Sequence, residues 1–130
     1  MSADAAGATM RRLVAIACAA AATAAHAADA GRGAELYASR CGACHSLDAN
    51  RVGPLHRGVF GRKAGSVPDY AYSPALERSG VTWNTATLDR WLADPEAFLP
   101  GQRMGYRLDD AGERAEVIEY LRQASAVAAR

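Results

Sequence analysis

Three cysteines, three histidines and three methionines in 130 residues leave few side chains able to bind a metal or carry redox chemistry. Aromatic residues are scarce too, at 7% of the chain. With so few large rings, a small domain gains much from a bound apolar body to fold around. Neither sign of charge dominates: 15 basic against 14 acidic side chains give +1 at neutral pH, with no block of like charge. Such a surface has little to grip a phosphate backbone, which argues against nucleic acid as a partner. No period-2 alternation and no internal repeat persists, so strand-built architectures are disfavoured and an all-α fold class is predicted. The length fits one small domain once any targeting segment is removed.

The strongest compositional bias lies at the N-terminus, where Arg11 and Arg12 precede Leu13, Val14, Ala15, Ile16, Ala17 and an alanine run ending near Ala25-His26-Ala27. The apolar stretch is broken by Thr23 and His26 and is too short and alanine-rich to hold a bilayer position. It reads as a cleavable secretory signal peptide over residues 1–27 rather than a retained anchor. Thr9, Met10, Leu13 and Val14 do not complete a twin-arginine pattern, and too few apolar residues precede Cys18 for lipoprotein processing. The expected mature chain, residues 28–130, is one domain near electroneutrality. Its only cysteines are Cys41 and Cys44, and its only histidines are His45 and His56.

Along that chain, apolar spacing predicts a first helix from Gly31 into Cys44, with Tyr37, Cys41 and Cys44 near one face. Residues 46–74 carry Gly53, Pro54, Gly58, Gly61, Gly65, Pro68 and Pro74 with no sustained period. A loop that long is abnormal in a compact domain unless something other than regular structure organises it, and a large buried cofactor is one such organiser. Ser73 is placed to cap a short turn from Pro74 that Gly80 ends. Thr85 or Thr87 starts a helix through Leu88, Trp91 and Leu92 as far as Pro95. Phe98 to Leu108 is loop. Asp109 or Asp110 then opens a last helix with Val117, Tyr120, Leu121 and Ala124 on its apolar face.

The chemistry concentrates in Cys41-Gly42-Ala43-Cys44-His45. Two thiols one helical turn apart can add to the two vinyl groups along one haem edge, and the adjacent imidazole then lies beneath the iron. A thioredoxin-like pair requires a βαβ setting, and half a zinc site requires two further ligands; neither is in sight. A disulfide between residues three apart on a helix is strained and leaves His45 without a role. For a second iron ligand the mature chain offers Met104 and His56 once Met1, Met10 and His26 depart with the signal. Met104 follows Leu99-Pro100-Gly101-Gln102-Arg103 in a loop suited to placing a thioether over the other face of a ring, and a His/Met pair raises a reduction potential. The plainer reading of Met104 is a core methionine. His56 lies eleven positions past His45, and its plainer reading is a surface or hydrogen-bonded histidine.

These residues resemble the class I cytochromes c across essentially all of the expected mature chain. The resemblance rests on Cys41-Gly42-Ala43-Cys44-His45, Gly53-Pro54, Gly58-Val59-Phe60-Gly61-Arg62-Lys63-Ala64-Gly65, Val81-Thr82-Trp83, Pro100-Gly101-Gln102-Arg103-Met104 and Val117-Ile118-Glu119-Tyr120-Leu121, all in family order. It implies a fold of short helices and long loops wrapped around one covalent haem c, with the first and last helices crossing where Gly33 meets Tyr120. It further implies that the Pro54 carbonyl accepts the other ring N–H of His45, and that Arg62, Tyr72 and Trp83 contact haem propionates. Trp83 as plain core, Arg62 as a surface charge and Tyr72 as a packed ring are the simpler alternatives.

The sequence departs from the family pattern at Trp91, usually a tyrosine; at Gln102, usually a threonine; and at His56, usually apolar. The lysines that surround the haem edge in mitochondrial members shrink to Lys63, with Arg57, Arg103 and Arg107 as candidate substitutes. The expected function is a monomeric, soluble periplasmic one-electron carrier, not an enzyme, that exchanges electrons with redox protein partners. The rivals are a haem subunit of a periplasmic dehydrogenase complex and a gas-binding or catalytic haem protein with an open iron position.

Overall fold

A computed structural model describes residues 31–130, so the predicted signal peptide lies outside the described residues. Among the described residues the regular structure is helical. The first helix, α1, is followed over residues 31–40 and gives way to a tight turn at Cys41. The apolar spacing predicts a helix running on to Cys44, and the structure ends it earlier. The reason is local: the Tyr37 carbonyl accepts from both Cys41 N (2.9 Å) and Gly42 N (3.1 Å), which widens the last turn and ends the regular ladder.

Each later helix begins at a residue whose side chain accepts from its first turn. The Ser73 side chain accepts from Leu76 N and opens α2, Pro74–Glu77. Asn84 and Thr87 form a reciprocal capping box at the start of α3, Thr85–Ala93, so the cap is Asn84 and not a threonine. Asp94 accepts from Ala97 N and opens α4, Pro95–Phe98, a short helix the sequence reading did not foresee. Pro95 ends the apolar spacing of α3 and is also the first residue of the next helix, where its missing N–H costs nothing. Asp110 accepts from Glu113 N and opens α5, Ala111–Ala128.

The core forms where α5 meets the rest of the chain. Val117, Ile118 and Leu121 are buried against Leu88, Trp91 and Leu92 of α3, with Tyr37, Trp83 and Leu108 in the same cluster. The helix α1 crosses α5 at Gly33, where a Cβ would lie 2.6 Å from the Glu116 carbonyl oxygen and 3.1 Å from Tyr120 Cβ. Only hydrogen allows backbones that close. The rings of Tyr37 and Tyr120 meet at 5.2 Å, and the pairs Arg32–Glu116 (2.6 Å) and Arg40–Glu113 (3.1 Å) flank the crossing.

Between α1 and α2 the long loop is held by its own hydrogen bonds. His56 N donates to Ser46 O and Gly53 N to Cys44 O, Asn50 bonds Leu55 N and Pro68 O, and Phe60 N reaches Ser125 of α5. Residues 61–64 run beside 81–83, with one isolated antiparallel bridge between Lys63 and Thr82 and no strand among the described residues. No helix among them is long and apolar enough to cross a membrane.

Candidate haem site

The site begins where α1 ends. Cys41 is half-buried, Cys44 is exposed, and both are free thiols. Burial pushes the Cys41 thiol up to about 11, with Cys44 adding to the shift. In the tight turn, Cys44 N donates to Cys41 O at 3.1 Å and His45 N to the same oxygen at 2.9 Å, so the two thiols and the imidazole are presented by one short segment. His45 Nδ1 lies 2.9 Å from the Pro54 carbonyl oxygen. A carbonyl can only accept, so Nδ1 carries the proton and the lone pair is left on Nε2. Desolvation lowers the His45 pKa, partly opposed by the Pro54 bond and reinforced by the Arg51 charge, which favours the neutral ring that a metal requires. Gly53 lies so close to this ring that a Cβ there would overlap its Cε1 end.

Three features around this turn were not read from the sequence. The Arg51 guanidinium donates to Gly42 O (2.7 Å), His45 O (3.2 Å) and Ala43 O (3.4 Å), satisfying carbonyls of the turn beyond α1. His56 stacks on His45 with ring centroids 4.0 Å apart and planes 18° from parallel. Its Nδ1 shares a 3.0 Å hydrogen bond with Tyr37 Oη. Desolvation, then the neighbouring His45 and Arg62, keeps His56 well below the ordinary histidine range. Contacts of this kind depend on how the loop turns back on the chain, often reach backbone atoms, and leave no spacing signature.

Arg62, Tyr72 and Trp83 are drawn into one neighbourhood. Trp83 N donates to Arg62 O at 2.9 Å, and Tyr72 is close enough to Arg62 for each to shift the other. Their side chains have protein partners of their own. Arg62 donates to Leu55 O (2.8 Å) and Arg57 O (3.2 Å), the Tyr72 hydroxyl accepts from Val67 N at 3.2 Å, and Trp83 packs on Trp91 at 5.5 Å.

Met104 is half-buried and packs against the core. Its loop is held by a brace: Gln102 Oε1 accepts from Met104 N (2.6 Å) and Gly105 N (3.2 Å). Glu96 in turn accepts from Gln102 Nε2 (3.2 Å) and Gly101 N (3.0 Å). Gly101 and Gly105, at φ +89° and +63°, supply the left-handed turns on either side of the methionine.

Two free thiols on one turn, and a neighbouring imidazole whose Nδ1 is engaged by Pro54 while Nε2 keeps its lone pair, form a donor set that fits a covalently attached haem. That donor set on an all-α fold suits the class of haem proteins that bind the group covalently. Residues 30–125 match the cytochrome c family. The chain is 40% identical to cytochrome c of Cochliobolus lunatus over 99 residues, covering 73% of this chain and 92% of that one. It is 45% identical over 89 residues to cytochrome c2 iso-1 of Magnetospirillum molischianum, covering 65% and 89%. Among solved structures, cytochrome cH from Methylobacterium extorquens superposes with a TM-score of 0.69 at 42% identity, covering 72% of this chain and 97% of that one. The chain belongs to the cytochrome c family, with one covalently attached haem c as its cofactor and electron transfer as its work.

Proposed function

We propose that the protein is a soluble periplasmic shuttle that carries one electron at a time between redox protein partners, with haem thioether-linked to Cys41 and Cys44 and its iron held by His45 and Met104. Bound haem supplies a reversible ferric/ferrous couple. The chain's own residues decide what that couple can do. The observation that carries this reading is the His45–Pro54 hydrogen bond, which fixes the tautomer and strengthens Nε2 as a donor. Met104, on its braced loop, is the residue that would hold the iron together with His45, and full ligation by the protein would supply a closed centre. Small molecules are then excluded, and little rearrangement accompanies a change of charge.

Arg62, Tyr72 and Trp83 are the residues assigned to the propionates, where charge-assisted hydrogen bonds offset carboxylate desolvation. Residues 1–27 direct export and are removed, leaving residues 28–130 as one monomeric domain. The function requires no bound substrate and no catalytic residue. The test is exposure of the purified, reduced haem protein to carbon monoxide near neutral pH. The expected result is an unchanged spectrum together with a reversible one-electron titration, and prompt carbon monoxide binding would contradict a closed carrier.

A further inference from the structure

His56 is the polar group beside the site that the carrier function does not use. It stands where the resembling family places an apolar side chain, yet it is held on both sides. Its ring lies nearly parallel to that of His45 at 4.0 Å, and its Nδ1 meets Tyr37 Oη at 3.0 Å. Tyr37 is itself buried in the core, with its ring against Tyr120 of α5. Rings and hydrogen bonds therefore run without interruption from the α1–α5 crossing to the His45 imidazole.

The Pro54 carbonyl holds one atom of that imidazole, Nδ1, and a single hydrogen bond lets a ring tilt about the line joining donor and acceptor. Gly53 limits the Cε1 end only. A flat neighbour against the ring face removes the remaining tilt, provided the neighbour cannot itself turn. A leucine there could offer no hydrogen bond to fix its orientation, whereas His56 is anchored to Tyr37 Oη.

We propose that His56, anchored by Tyr37, is a positioning residue that sets the plane of the His45 imidazole. The proposal rests on the reading of His45 as an iron ligand. Ligand orientation of this kind belongs to the outer shell that tunes a metal centre. The imidazole plane decides how ligand π electrons overlap the iron d orbitals, and so how unpaired spin spreads over the ring.

The test is proton NMR of the ferric haem protein, read as the spread of the shifted haem-methyl resonances, for wild type, His56→Leu and Tyr37→Phe. Strongly shifted His45 ring protons in the wild type come first. Their absence would overturn the ligand assignment and this proposal with it. With them present, His56→Leu is expected to change the methyl spread and shift the reduction potential, and Tyr37→Phe to do the same to a smaller extent. An unchanged methyl pattern in His56→Leu would overturn the positioning role alone. A change in His56→Leu with none in Tyr37→Phe would overturn the anchor while supporting the stack. Loss of thermal stability without a methyl change is what a purely structural His56 would give, and it also contradicts the proposal.

Discussion

At Arg51 one guanidinium meets three backbone carbonyls of the turn that carries Cys44 and His45. The side chain is exposed, so its Coulomb contribution is screened, and the hydrogen bonds are what it adds. Arg51→Gln is expected to lower unfolding stability by about 1 kcal/mol, the net worth of such contacts, measured as a lower denaturant midpoint at unchanged slope. An unchanged midpoint would mean that water replaces the guanidinium freely. Gly53 is less tolerant. A methyl there collides with the His45 ring, so Gly53→Ala must displace either the loop or the imidazole at about 1–3 kcal/mol. The expected signature is a perturbed low-spin ferric spectrum; a wild-type spectrum would show that the loop yields instead.

How far residues could be read from the sequence divides along these lines. Cys41, Cys44 and His45 declare themselves by spacing, because chemistry on one helical turn leaves a local pattern. Pro54 could be placed only through resemblance, since a carbonyl acceptor has no residue-type signature. Arg51 and His56 lie in a loop whose folding brings them against the end of α1 and the turn that follows it, and no period encodes that.

At the scale of elements, the α1–α5 crossing carries the site, because α1 ends at Cys41 and α5 fixes where that end lies. Gly33 sits under the Glu116 carbonyl with no space for a side chain. Gly33→Ala is therefore expected to force the helices apart and destabilise the protein by about 1–3 kcal/mol, which is overpacking outweighing any gain in helix propensity. Thermal unfolding of the haem protein checks this, and an equal or higher midpoint would contradict the crossing. The helices α3 and α5 were legible because each has an apolar face and a capping residue. The helix α4 was not, because four residues carry no period and Pro95 signals a start as readily as a stop. The end of α1 was placed too late because periodicity continues through Cys44 after the hydrogen-bond ladder has changed.

Across the whole molecule, the scarcity of aromatics and the long loop both pointed to a cofactor as the organiser of the fold. Even so, the loop residues find many partners in one another. The expected docking charges are partly spent. Arg57 pairs with Asp48, and Arg107 with Asp94 and Asp109, while Arg103 has no ion pair among the described residues. Partner recognition by a strong basic ring is accordingly a weak feature of this surface, and salt should slow electron exchange only modestly.

The central claim concerns both faces of the iron, and Met104 is the side chain on which it turns. The most direct measurement is the absorption spectrum of the ferric protein, wild type against Met104→Ala, read at the thioether-to-iron charge-transfer band. The account predicts that the band is present in the wild type and absent in the variant, with the reduced variant now binding carbon monoxide. A band that persists unchanged in Met104→Ala would contradict it.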